Sequence, residues 1–158
     1  MDTIFALATV PGRSGVAVIR ISGSEAEAVC ASLCGSVPKS RGLRHLHDPK
    51  TGQLLDEPLV LYFERGKSFT GESVIELHLH GSRAVVQEVL SVLSSIDGLR
   101  LADAGEFTRR ALENGKLDLT EVEGLADLID AETSAQHPHA IRAFSGELVN
   151  LADSWRAA

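Results

Sequence analysis

Val74-Ile75-Glu76-Leu77-His78-Leu79-His80-Gly81 decides how the rest of the chain is to be read. The period of two puts Ile75, Leu77 and Leu79 on one side of a strand and Glu76, His78 and His80 on the other. One face is therefore core, and the opposite face carries either chemistry or water. Ser82 to Leu93 comes next, with Val85, Val86, Val89, Leu90 and Leu93 at helical spacing. A strand with one apolar face, followed by a helix with one apolar stripe, predicts a sheet covered by helices. Upstream, Thr3 to Thr9 and Val16 to Ser22 flank Val10-Pro11-Gly12-Arg13-Ser14-Gly15 and read as strand, loop, strand. Ser24 with Glu27 has the spacing of a capping box and predicts a helix through Leu33, closed by Gly35. Ser36 to Arg44 carries Pro38 and Gly42 without a period, which predicts a loop. His45 to Asp48 and Leu54 to Phe63, joined by Asp48-Pro49-Lys50-Thr51-Gly52, predict a hairpin whose long second arm is an edge or a bulge at Pro58. Leu99 to Ala102 is a short last strand. This order of elements predicts an α+β fold, a mixed β-sheet with packed helices.

Downstream the pattern becomes helical. Glu106 to Glu113 is helix-compatible, Gly115 stands where a left-handed cap is expected, and Asp118 with Glu121 opens the next helix as a capping box. Lys116 projects from the tight junction between them. A Gly-Lys pair ends many helices, and a Lys there also complements the helix dipole. Beyond Asp118, Leu125, Leu128 and Ile129 form one stripe, and Ile141, Phe144, Leu148, Leu151 and Trp155 form another. These observations predict an α+β domain over 1–117 and the beginning of a helical domain over 118–158. Pro138 either kinks a long helix or starts a new one in its first turn.

A chain of 158 residues has room for one core and a helical appendage. The net charge of −7 gives no broad cationic surface for a nucleic-acid backbone, so any RNA contact is expected to be local or supplied elsewhere. No apolar run approaches the roughly 18 to 20 residues of a membrane span, and the start lacks the basic flank of a signal peptide. A soluble, cytoplasmic protein is the expectation.

Cys30 and Cys34 lie one turn apart among Ala26, Val29 and Leu33, as packed thiols would, and no second pair stands at ligand spacing. All six histidines fall in His-x-His pairs, 45 with 47, 78 with 80 and 137 with 139. Two imidazoles on one strand face can share a metal, but no carboxylate stands at a recognised metallohydrolase spacing, and no metal site is expected. Gly-x-x-x-x-Gly-Lys-Ser/Thr is absent, as is a persuasive nucleophile signature.

Three separated segments carry a resemblance. They are Asp2-Thr3-Ile4-Phe5-Ala6 through Arg20-Ile21-Ser22-Gly23, then Ser68-Phe69-Thr70-Gly71-Glu72-Ser73 through Gly81, and Gly105-Glu106-Phe107-Thr108-Arg109-Arg110-Ala111 through Asn114-Gly115-Lys116-Leu117-Asp118-Leu119 to Ala131. In this order they resemble the N-terminal region of the MnmE (TrmE) family of tRNA-modification GTPases, over essentially the whole chain. The resemblance implies a domain that binds 5-formyltetrahydrofolate or a related reduced folate and forms a homodimer. It also implies that Arg20, Glu76 and Lys116 hold the folate. A pterin displays an amino group and a ring N–H side by side, which one carboxylate can accept together, and the cations suit folate oxygens.

In the whole family member, a one-carbon unit from folate is built onto the wobble uridine of certain tRNAs with a flavoprotein partner, MnmG (GidA). GTP, Mg and K belong to a GTPase module that this sequence is expected to stop before, together with a C-terminal Cys-x-Gly-Lys ending. The chain is accordingly not expected to hydrolyse GTP. The rival readings are a stand-alone folate-dependent aminomethyl or methyl transferase and a dimerisation module without a ligand.

Overall fold

The computed structural model describes residues 2–133 and 136–146. The chain divides into two compact units, Met1–Phe107 and Thr108–Ala158. The division falls upstream of Asp118.

The first unit is built on a six-stranded sheet of β1 (Thr3–Leu7), β2 (Val16–Ser22), β3 (Arg41–Leu43), β6 (Leu59–Phe63), β7 (Val74–His80) and β8 (Leu99–Leu101). Their order is β3-β6-β7-β2-β1-β8. Neighbours run antiparallel except β1 and β8, which are parallel, so the sheet is mixed. A separate two-stranded ribbon pairs β4 (Leu46–His47) with β5 (Leu54–Asp56). Helices α1 (Ala26–Cys34) and α2 (Arg83–Ser94) complete the core. Phe5, Ile19, Ile21, Ile75, Leu77 and Leu79 of the sheet pack with Val29, Cys30 and Leu33 of α1 and Val89 and Leu93 of α2. The alternation in β7 is thus realised, since Ile75, Leu77 and Leu79 are buried while Glu76, His78 and His80 face away from these helices.

Three local expectations are corrected. Arg41–Leu43, expected to be loop, is an edge strand on β6, with Arg41 opposite Leu61 and Leu43 opposite Leu59. The long hairpin arm is cut at Glu57-Pro58, so its first part pairs in the ribbon and its second joins the main sheet. A proline lacks the N–H that a continuous ladder would need. The Ser24–Glu27 capping box does not form: α1 starts at Ala26 with Glu25 as N-cap and no side-chain cap. Glu27 is drawn to β6 and to the start of β7 instead, accepting from the Tyr62 hydroxyl at 2.6 Å and from Ser73 Oγ at 3.1 Å.

The second unit contains most of α3 (Glu106–Glu113), with α4 (Leu119–Asp130) and α5 (His137–Phe144). Gly115 closes the first of these at φ 64°, a conformation that costs other residues more than glycine. Asp118 and Glu121 form the reciprocal capping box expected, both bonds at 2.8 Å. Pro138 lies in the first turn of α5, so a new helix starts there. Gly124 of α4 faces α5 so closely that a Cβ would stand 2.4 Å from the Phe144 backbone nitrogen. Leu148, Leu151 and Trp155 of the expected stripe lie outside the described residues. Among the described residues no helix is long and apolar enough to cross a membrane.

Candidate functional site

On the sheet face opposite α1 and α2, one row of directly paired residues runs Leu61, Glu76, Arg20, Ala6 across β6, β7, β2 and β1. Arg20 and Glu76 are therefore cross-strand partners, and their side chains meet. Arg20 Nε donates to Glu76 Oε1 at 2.9 Å, and Nη2 reaches the same oxygen at 2.8 Å. Their side chains retain 27% and 15% exposure, enough burial to limit screening of the pair and enough access for a ligand. Among the described residues, Glu76 Oε2 has the long 3.3 Å contact to His78 Nε2 and no shorter one. One carboxylate oxygen is thus saturated, and the other keeps acceptor capacity.

Two aromatic rings stand against the same guanidinium. The Arg20 Cζ lies 5.7 Å from the Phe69 ring centre and 5.5 Å from that of Phe107, within cation–π range. Phe69 comes from the loop between β6 and β7. That loop is pinned to β2 through Ser22, whose Oγ lies 2.8 Å from Thr70 Oγ1 and donates to Glu72 Oε2 at 2.6 Å. Ser68 Oγ donates to the Glu72 carbonyl, closing the turn. Phe107 comes directly after Glu106, which is buried and accepts from both terminal nitrogens of Arg100, at 2.8 and 2.6 Å, and from the Asp103 N–H at 2.8 Å. This clamp holds Glu106, the residue immediately before Phe107, against Arg100 of β8.

At the end of the same strand face, His80 takes a different partner. His80 Nδ1 lies 2.7 Å from Asp56 Oδ1, and the His80 N–H donates to Oδ2 at 2.8 Å. The hydrogen bond and charge of Asp56 raise the imidazole pKa from its usual value. Burial pushes the Asp56 carboxyl up, but hydrogen bonds from the His80 side chain, the His80 backbone and the Glu57 backbone outweigh it and hold the carboxyl below its usual value. His45 pairs with Glu57 at 2.9 Å, and His78 and His80 are drawn to separate carboxylates. Among the described residues no group of three or more His, Cys, Asp or Glu is placed to hold a metal ion. Cys30 and Cys34 are free thiols in contact with each other, which lowers the pKa of the first and raises that of the second.

Of the three residues singled out from the sequence, Arg20 and Glu76 come together. Lys116 lies in the second unit, in the turn after α3, where its N–H donates to the Ala111 carbonyl at 2.8 Å. Phe69, Phe107 and the Ser22–Thr70–Glu72 cluster were not singled out. Both rings lie inside the segments that carry the resemblance, and an aromatic residue between Ser and Thr in a glycine-containing loop was the available signal.

Comparison with known proteins supplies the family. Residues 3–116 match the family described as GTP-binding protein TrmE N-terminus. The chain is 56% identical over 159 aligned residues to a tRNA modification GTPase MnmE of Roseobacter denitrificans, covering 99% of this chain and 37% of that protein. It is 53% identical over 160 aligned residues to the MnmE of Parvibaculum lavamentivorans, covering 99% and 36%, and 54% identical over 155 to that of Caulobacter vibrioides, covering 98% and 34%. The chain thus spans little more than a third of the length of these curated relatives.

Proposed function

The chain belongs to the family described as GTP-binding protein TrmE N-terminus, and from that premise we propose that it is the folate-binding, dimer-forming part of a tRNA-modification GTPase. The carrying observation is the Arg20–Glu76 pair, in which Glu76 keeps one acceptor oxygen open while Arg20 fixes the other. This donor and acceptor set fits a reduced folate such as 5-formyltetrahydrofolate. The pterin's adjacent amino group and ring N–H are both donors, and Glu76 Oε2, which has no short contact among the described residues, is the acceptor that this face offers them. Arg20 engages Glu76 through Nε and Nη2, so Nη1 can donate to a folate oxygen. Lys116 is the third folate-holding residue in this reading, and the folate-binding domain extends over 1–117, with 118–158 as the start of a helical domain.

When bound, the folate would supply a one-carbon unit. The residues of this chain bind and orient it, and the remaining steps belong to the whole protein. There, GTP with Mg and K, the flavoprotein MnmG (GidA) and the tRNA wobble uridine enter, in the cytoplasm.

Calorimetry with 5-formyltetrahydrofolate tests the site. Removing a charged hydrogen-bond partner costs about 1.5 to 3 kcal/mol, so Glu76→Ala is expected to weaken binding roughly ten- to hundredfold. Glu76→Gln keeps the shape and is expected to weaken it as well, because it removes the charge that pairs with Arg20 and replaces one acceptor oxygen by an NH2 donor. An affinity untouched by either substitution would remove Glu76 from the site.

A further inference from the structure

Folate binding by Glu76, on which this inference rests, leaves open how a pair of flexible side chains on a sheet face is held in one geometry. Arg20 and Glu76 are the termini of long rotatable chains, and about a quarter of the Arg20 side chain remains accessible at 27% exposure. With this much of the guanidinium accessible, its long side chain loses rotamer entropy by staying in one geometry and does so only where neighbours hold it. Here both Arg20 contacts go to Oε1, which leaves Oε2 with the 3.3 Å contact to His78 Nε2 and with acceptor capacity. Something must keep the guanidinium from rotating.

The two rings are placed to do so. Phe107 follows Glu106, which is clamped on Arg100, and Phe69 precedes Thr70 in a loop tethered to Ser22, two residues along β2 from Arg20 on the same face. Ser22 and Thr70 are fully buried, so their hydroxyl contact is shielded from competing water. The loop from Ser68 to Glu72 is thereby referenced to the same strand that carries Arg20. We infer that Phe69 is a positioning residue: held by the Ser22–Thr70–Glu72 tether, its ring packs against the Arg20 guanidinium and fixes the direction in which Glu76 presents its second oxygen to a folate. The Phe69 ring thus tunes the affinity of the site without itself carrying a charge.

The test reads Arg20 directly. In wild-type chain the Arg20 Nε–H, bonded to Glu76 and lying near two rings, is expected to exchange slowly with solvent and to be displaced upfield in NMR spectra. Phe69→Leu keeps apolar bulk and removes the ring. It is expected to move the Nε–H signal downfield, to speed its exchange, and to weaken 5-formyltetrahydrofolate binding about two- to fivefold, the size of an exposed cation–π contact. Phe69→Tyr should restore all three, which a general packing defect would not permit. Ser22→Ala, which leaves the ring and cuts the tether, should shift the Arg20 signal in the same direction. An Nε–H signal and an affinity both unchanged in Phe69→Leu would overturn the inference. Should the Arg20 signal respond as stated while wild-type chain binds no folate, the positioning role stands for the pair and the folate reading falls. Should Glu76→Ala abolish binding while Phe69→Leu changes nothing, the folate reading stands and the role of Phe69 falls.

Discussion

Glu76 and His80 share one face of one strand, yet each is committed to a different task by its neighbour. Glu76 meets Arg20 from β2, whereas His80, at the strand end, meets Asp56 of the small ribbon. The second pairing has a pH signature whose sign is set by the two shifts. The His80 pKa is raised above its usual value of 6.5, so its contribution to stability is complete below that value and is lost as pH rises through the folded-state pKa. The Asp56 pKa is lowered from 3.8, so its contribution is complete above 3.8 and fades as pH falls through the folded-state pKa. The ribbon should be held to β7 most firmly between the two. NMR titration of the His80 ring is expected to give a midpoint above 6.5, and Asp56→Asn should bring it back toward that value. A midpoint at or below 6.5 in the wild-type chain would contradict the pairing. At this scale the sequence disclosed the face but only part of the company on it. Alternation exposed Glu76, and Arg20 stood out as a charge inside a strand, where a solvated position reads the same way. Phe69 and Phe107 were hidden because their role arises only when a loop and a helix start fold back onto the sheet.

Elements were legible wherever the signal was local. The Asp118–Glu121 box formed as read, because both of its bonds are made within one turn and need no distant partner. The Ser24–Glu27 box had the same spacing and failed, since Tyr62 and Ser73 offered Glu27 better partners from distant parts of the chain. Edge strand β3 was missed for the same kind of reason: Arg41-Gly42-Leu43 carries no strand signal of its own, and its pairing with β6 is what makes it a strand. Gly124 shows how packing can reverse a local preference. Alanine is favoured over glycine inside a helix by about 1 kcal/mol, which alone predicts that Gly124→Ala stabilises α4. However, the new Cβ would lie 2.4 Å from the Phe144 nitrogen and 2.7 Å from the Ala143 carbonyl carbon. These are backbone atoms, which cannot swing aside, and overpacking of this kind costs about 1 to 3 kcal/mol. The close approach should win, and urea unfolding followed by circular dichroism is expected to show a less stable helical unit. A stability equal to or above that of the wild-type chain would mean that α4 and α5 separate at little cost.

The fold class is set by the succession of patterns along the chain, and the α+β reading holds for the molecule because strand and helix periods are each carried by core residues. The strand order β3-β6-β7-β2-β1-β8 was beyond a linear reading, since it depends on crossovers that bring β8 alongside β1 from the far end of the first unit. Charge belongs to this scale too. A net charge of −7 on a chain of 16.9 kDa disfavours close approach of two copies through long-range repulsion. The proposed homodimer must therefore draw its affinity from apolar and short-range polar contact, with a symmetric pair as the default arrangement. This fixes how association should respond to salt. Screening shortens the repulsion, to a Debye length of about 8 Å at physiological ionic strength and about 3 Å at 1 M, while apolar contact is not weakened. Light scattering across a concentration series is accordingly expected to report twice the chain mass at high micromolar concentration, with the midpoint moving to lower concentration as sodium chloride is raised. A mass that stays at 16.9 kDa under all conditions would dismiss the dimer for this chain. Association that weakens with added salt would instead mean that opposite charges on the two copies hold the pair together, and the apolar account of the interface would fail.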